Sequence, residues 1–255
     1  MKLGFDESGS GPVLLLVHGF PLDRTVWADQ LRELSPSRRV VAVDLPGRGK
    51  SPAGASSGWT IEDLADDLAE TIDDLGADQV DLAGLSMGGY VAFAFWRRHR
   101  ELVRSLLLFD TKAEDDGEEA KEGREKTAAL ARKQGTGALY EGLESKLLAP
   151  DAPAEVKERM RRIFESIPGE SSAADALAMK NRPDSTGDLA SIDVPTLVIR
   201  GEQDALMPLE VVEKMASQIP DAKLVGIPGA GHLPPIENPK AVTQAVRDFL
   251  GGIQK

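Results

Sequence analysis

Gly84-Leu85-Ser86-Met87-Gly88-Gly89 stands between an apolar run, Gln79-Val80-Asp81-Leu82-Ala83, and a helix-like run that begins Tyr90-Val91-Ala92-Phe93-Ala94. A strand feeding a helix through so short a link must turn sharply. The positions two before and two after the serine then need to be nearly free of side chain. Gly84 and Gly88 meet that demand and leave Ser86 at the tip, the setting of a nucleophile elbow. In a chain with 25 glycines the five-residue pattern alone carries little weight. Its meaning depends on what stands around it.

Outward from this turn, short apolar runs alternate with helical patterns. Val13 to Val17 and Val40 to Asp44 read as buried strands, the second closed by Pro46-Gly47-Arg48-Gly49. Trp27 to Leu34 has apolar residues at helical spacing. Thr60 to Leu75 reads as an amphipathic helix with Thr60 as N-cap and Asp63 as its capping-box partner. A helix over 88–98 and a strand over 104–109 follow the turn. The strand pattern resumes at 195–200 and 222–227, and a helix over 238–250 closes the chain. This is the order of a parallel α/β sheet. From 112 to 189 strand signals vanish, and helical pieces are punctuated at Gly135-Thr136-Gly137, Pro150, Pro153 and Pro168-Gly169. The chain therefore divides into an α/β core, 1–111 with 190–255, and an inserted helical cap, 112–189. The charged stretch from Ala113 to Lys126 reads as a solvated helix face.

The 255 residues suffice for one such core with a modest insertion. A net charge of −12 disfavours nucleic acid and anionic membrane surfaces as partners, since both call for a basic face. Cysteine is absent, which excludes disulfides, thiolate metal sites and a cysteine nucleophile. The run Val13 to Val17 is too short for a membrane span and lacks a positive segment before it, so cytoplasmic residence is the expectation.

A serine hydroxyl needs a base to take its proton as it attacks, and histidine suits that task near neutral pH. The chain has three histidines. His99, in Arg97-Arg98-His99-Arg100, reads as a surface residue ending its helix. His18 ends the first apolar run. His232, in Gly229-Ala230-Gly231-His232-Leu233-Pro234, follows the last strand, where a flexible loop brings an imidazole over the sheet, and is the expected base. The partner acid is Asp204, in Arg200-Gly201-Glu202-Gln203-Asp204, with Asp110 at the end of strand 104–109 as its rival. Glu237 reads as a capping or structural carboxylate. Two N–H groups are expected to hold a developing oxyanion: Met87, after the serine at a helix N-terminus, and Phe20, because Pro21 has none to give. Leu206, Met207 and Leu233 are candidate pocket walls.

These residues resemble the α/β-hydrolase superfamily over essentially the whole chain. His18-Gly19-Phe20-Pro21, Asp44-Leu45-Pro46-Gly47-Arg48-Gly49-Lys50-Ser51, the turn at 84–88, Gly201-Glu202-Gln203-Asp204 and Gly231-His232 stand in that family's order. The order Ser86, Asp204, His232 is also the family's. The resemblance implies a mostly parallel sheet flanked by helices, with the cap inserted after the sixth strand of the common core. Within the superfamily the chain is similar to small capped carboxylesterases, cofactor-free haloperoxidases and 3-oxoadipate enol-lactonases. It implies hydrolysis of a small-molecule ester or lactone through an acyl-enzyme, with no metal or organic cofactor. Phe20-Pro21 resembles the haloperoxidase pattern and keeps perhydrolysis as an alternative. A ligand receptor or signalling protein on the same fold is the alternative of another class. Fold alone does not choose among them.

Overall fold

A computed structural model describes residues 1–53 and 58–253. Among them, seven strands form one sheet: β1 (Phe5–Ser8), β2 (Val13–Val17), β3 (Arg39–Val43), β4 (Val80–Leu85), β5 (Val103–Phe109), β6 (Thr196–Gly201) and β7 (Ala222–Ile227). Their spatial order is β1-β3-β2-β4-β5-β6-β7, with β1 antiparallel to β3 and every other pairing parallel. Sequence periodicity misses β1. Its residues Phe-Asp-Glu-Ser are half-exposed or exposed, so this short edge strand carries almost no apolar signal. It exists because β3 offers it a partner, in register from Phe5 on Val43 to Ser8 on Val40.

The central strands are mostly apolar because both faces of the sheet are covered, and the buried polar residues Ser105 of β5 and Asp81 of β4 bond to each other. Alternate side chains of β2 and β3 go to opposite layers. Val13, Leu15, Val17, Val41 and Val43 join one core cluster, and Leu14, Leu16, Val40 and Ala42 join the other. The first cluster is completed by α2 (Ile61–Asp74), α3 (Met87–His99) and α8 (Leu209–Ser217). The second draws on α1 (Ala28–Leu34) and α10 (Pro239–Gly252), and takes in apolar residues from the helices between β5 and β6. The chain is thus an α/β-hydrolase fold, and the sheet's parallel order brings the C-terminal ends of β2 to β7 to one edge, where a site belongs.

The capping box read from Thr60 and Asp63 is present. Thr60 N–H donates to Asp63 Oδ2 at 2.8 Å, and Asp63 N–H donates to Thr60 Oγ1 at 3.1 Å. His99 ends α3, and its Nε2 meets Asp66 Oδ1 of α2 at 2.7 Å.

Between β5 and β6, four helices are described: α4 (Glu118–Gln134), α5 (Gly137–Leu147), α6 (Ala154–Ser166) and α7 (Gly169–Asn181). Counted along this chain they follow its fifth strand. They pack chiefly on one another, α4 against α7 and α5 against both α4 and α6. One of their ties to the core is a buried ion pair. The Arg48 guanidinium, after β3, donates to Asp175 Oδ2 on α7 at 2.6 Å, with both side chains fully enclosed. Trp59 Nε1–H donates to the other Asp175 oxygen at 3.0 Å. Ser171 Oγ–H donates to Gly47 O at 2.7 Å.

Candidate active site

Ser86 sits where β4 becomes α3, with φ 53° and ψ −111°. A non-glycine residue held there is strained, and the surroundings enforce it. Ser86 N–H donates to Phe109 O at 2.8 Å, while its carbonyl accepts Thr111 Oγ1–H at 2.8 Å and Gly89 N–H at 2.9 Å. The turn is as crowded as its glycines suggest. A Cβ on Gly84 would stand 2.2 Å from Gly88 O, and one on Gly88 would stand 2.5 Å from Val17 O. Neither backbone oxygen can swing aside as a flexible side chain can.

His232 reaches the serine from the loop after β7. Its Nε2 lies 2.8 Å from Ser86 Oγ, and its Nδ1 lies 2.8 Å from Asp204 Oδ2. Asp204 Oδ1 accepts the N–H groups of Leu206 at 2.7 Å and Met207 at 3.1 Å. Burial pushes the Asp204 carboxyl upward, but its hydrogen bonds, first among them that to His232, together leave it below the usual range. An ionised Asp204 accepts from Nδ1–H, and that selects the imidazole tautomer whose Nε2 is free to accept from a hydroxyl. The structure therefore brings together the three side chains singled out in the sequence.

The loop carrying His232 is braced by Glu237, whose role is structural, as its place in the sequence suggests. Glu237 Oε1 accepts Gly231 N–H at 2.9 Å and Leu233 N–H at 3.1 Å, flanking the histidine on both sides. Its Oε2 accepts Ala149 N–H at 2.7 Å, just beyond α5, and His232 N–H donates to Leu147 O at 2.9 Å. His232 is thus held jointly by its own loop and by the inserted helices. Burial pushes the Glu237 carboxyl up, against the pull of its three amide donors.

Gly19 abuts the serine turn, since a Cβ there would stand 3.0 Å from Leu85 O and 3.1 Å from Ser86 Cβ. The loop is shaped by His18, whose Nε2 accepts Leu45 N–H at 3.0 Å while its Nδ1–H donates to Gly19 O at 2.8 Å. Full burial, with the nearby Arg48 cation adding to it, holds His18 down to about 3, so it is a neutral strut. Arg48 also donates to Leu22 O at 3.1 Å. Met87 is the first residue of α3, so its N–H has no intrahelical acceptor, and the Phe20 N–H likewise has no acceptor among the described residues.

Of the pocket-wall candidates, Leu206 is half-buried, whereas Met207 is buried and Leu233 is fully enclosed in the core. Asp110, the rival acid, is fully buried beside the other two polar groups: Asp110, Asp204 and His232 each offer a ligand-type atom within 4.8 Å of one another. A metal is a poor match to this trio, because both ring nitrogens of His232 are already engaged, Nδ1 with Asp204 Oδ2 and Nε2 with Ser86 Oγ. No helix among the described residues is long and apolar enough to cross a membrane.

A strained serine after the fourth strand, a histidine after the last and an acid after β6 define a class, and family comparison agrees with it. Residues 12–239 match the model of the alpha/beta hydrolase fold family, and the chain belongs to that family. It is an esterase-type hydrolase. Among solved structures it is similar to a thermophilic esterase from Thermogutta terrifontis, with 45% identity and a TM-score of 0.96 over 99% of this chain and 94% of that one. It is also similar to the enol-lactonase from Burkholderia xenovorans LB400, at 29% identity and TM-score 0.89 over 98% of this chain and 96% of that one. A pimeloyl-[acyl-carrier protein] methyl ester esterase of Neisseria meningitidis is 32% identical over 93% of this chain and 76% of its own length.

Proposed function

We propose that this chain is a serine carboxylic ester hydrolase that works through an acyl-enzyme, with small to medium acyl esters or lactones as substrates. The observation that carries this reading is the unbroken relay from Ser86 Oγ to His232 Nε2 and from His232 Nδ1 to Asp204 Oδ2, each link 2.8 Å long. Ser86 Oγ attacks the carbonyl carbon while His232 Nε2 takes its proton. Asp204 orients the ring and stabilises the imidazolium. The Phe20 and Met87 N–H groups receive the oxyanion, each being a backbone donor with no acceptor among the described residues. The proton on Nε2 then passes to the departing alkoxide, so alcohol leaves and the acyl group stays on Ser86. Water repeats the sequence and releases the acid.

Residues 112–189 act as a cap over this site, and their contacts with the His232 loop through Leu147 and Ala149 support that role. Leu206 is the pocket-wall candidate that keeps exposed surface. The similar enol-lactonase favours cyclic esters as a second substrate form within the same chemistry. The substrate would be a cytoplasmic small molecule.

The test is initial rates on p-nitrophenyl esters from acetate to decanoate, wild type against Ser86→Ala. Turnover that depends on chain length and falls by about 10³-fold or more in the variant is expected. Ester turnover that survives in Ser86→Ala defeats the assignment. A folded wild type without turnover moves the case to peroxide-dependent chemistry, assayed as peracid from acetate, or to a ligand receptor.

A further inference from the structure

Asp110 is a second carboxyl group behind His232, and the ester-hydrolysis mechanism leaves it without a task. It directly follows β5 in the left-handed region, at φ 43°, a conformation that aspartate tolerates better than most residues. Its side chain is sealed from solvent. Oδ1 accepts Gly201 N–H at 2.8 Å, but Oδ2 has no donor within reach among the described residues. What stands near is another acceptor, the Asp204 carboxylate, with ligand-type atoms of Asp110, Asp204 and His232 all within 4.8 Å. The charged groups facing Asp110 are Asp204, His232 and Arg200. The Arg200 guanidinium is occupied with backbone carbonyls, donating to Met207 O at 2.7 Å, Asp204 O at 3.0 Å and Glu202 O at 3.2 Å.

Two carboxylates this close in a dry pocket cannot both ionise at moderate cost. Asp204 is the one that keeps its charge, since it accepts from Leu206, Met207 and His232. Three donors still leave its two oxygens room for one more. A proton on Asp110 Oδ2 satisfies the orphaned atom and fills that place. Resting on the triad reading above, we infer that Asp110 remains a neutral carboxylic acid in the working enzyme and donates from Oδ2 to the Asp204 carboxylate, a positioning residue that fixes the acid behind His232. Burial and the adjacent Asp204 charge push the Asp110 carboxyl well above the ordinary range, in keeping with this geometry.

The experiment compares wild type with Asp110→Asn, whose amide supplies both an acceptor for Gly201 N–H and a donor for Asp204. The acid limb of kcat/KM reports His232 in the free enzyme. If Asp110 is neutral, Asp110→Asn leaves that limb within about 0.3 pH unit of wild type and kcat/KM within about threefold. If Asp110 is instead ionised, removing its charge so close to the ring lowers the limb by about one to two pH units, and the proposal fails. Infrared difference spectroscopy gives a readout independent of turnover: a protonated-carboxyl carbonyl band at neutral pH that Asp110→Asn removes. Absence of that band overturns the proposal even if Ser86→Ala upholds the esterase reading, and its presence stands even if that reading falls. Asp110→Leu keeps the branched outline at a larger volume but donates nothing. It is expected to lose at least about tenfold in kcat with KM within a factor of about two. Because it also orphans Gly201 N–H, its folding is verified first, and wild-type kcat in folded Asp110→Leu also refutes the positioning role.

Discussion

Replacing Asp175 by alanine tests what joins the inserted helices to the core. The substitution strands the Arg48 guanidinium, which then keeps only its bonds to Leu22 O and Pro46 O, and removes the acceptor of Trp59 Nε1–H. Both partners are fully enclosed, so water cannot substitute for the lost carboxylate. An uncompensated buried charge of this kind costs about 3–5 kcal/mol. Unfolding 255 residues carries an entropy of roughly 0.5 kcal/mol/K near the midpoint, so that loss lowers Tm by about 6–10 °C. The pair's own net worth is a separate matter. Burial raises the Asp175 carboxyl even with Arg48 against it, so desolvation outweighs the attraction. Arg48→Met combined with Asp175→Leu is therefore expected to be more stable than either single variant and within about 2 kcal/mol of wild type. Urea unfolding of all four proteins, with Tm alongside, measures the cycle. A loss below about 1 kcal/mol in Asp175→Ala refutes the picture of a dry, mutually dependent pair, and so does a double variant no better than its parents.

Two further outcomes follow from the site. Glu237→Gln turns one acceptor oxygen into a donor facing the backbone N–H of Ala149 or of Gly231 and Leu233, so the His232 loop loosens. The expected result is a fall in kcat of about 10- to 100-fold with KM changed by less than about threefold, and steady-state kinetics with unchanged kcat would dismiss the brace. His18 is held at about 3 when folded, against 6.5 for its ordinary value. Between those two values the unfolded chain binds more protons than the folded one, so stability rises with pH. His18's contribution is complete above about pH 6.5 and is lost as pH falls toward 3, at up to about 1.4 kcal/mol per pH unit. Urea unfolding at pH 4.5 and 7 is expected to give a dependence that His18→Gln flattens by about one proton; equal slopes for the two proteins refute the neutral strut.

The strands β2 to β6 were legible because a sheet covered on both faces needs largely apolar runs, and such runs stand out between polar turns; edge strand β7, half-exposed or exposed along most of its length, still shows Leu224, Val225 and Ile227. The capping box of α2 and the serine turn were legible for a related reason: each is local, with its hydrogen bonds and close contacts spanning only a few residues. Edge strand β1 was not, because its pairing with β3 leaves its side chains half-exposed or exposed. The short helix α9 (Pro234–Glu237) was hidden for a different reason, its prolines, which mark a turn as readily as a helix start. Glu237 was visible five residues after His232, yet nothing in that spacing reveals that it reaches Ala149, 88 positions away.

Sequence alone determined the class of fold, the serine, and the histidine and acid expected to serve it, because few residues of the right kind stand at the ends of its strands. Tertiary structure decided how those groups are supported. It showed that Asp110 and Asp204, rivals on paper, are neighbours in one dry pocket, and that an ion pair spanning 127 positions clasps the inserted helices to the core. The strand pattern records which residues are buried, since burial leaves a periodic trace. The contacts between distant segments leave no such trace, because each depends on where two separate stretches of backbone come to rest.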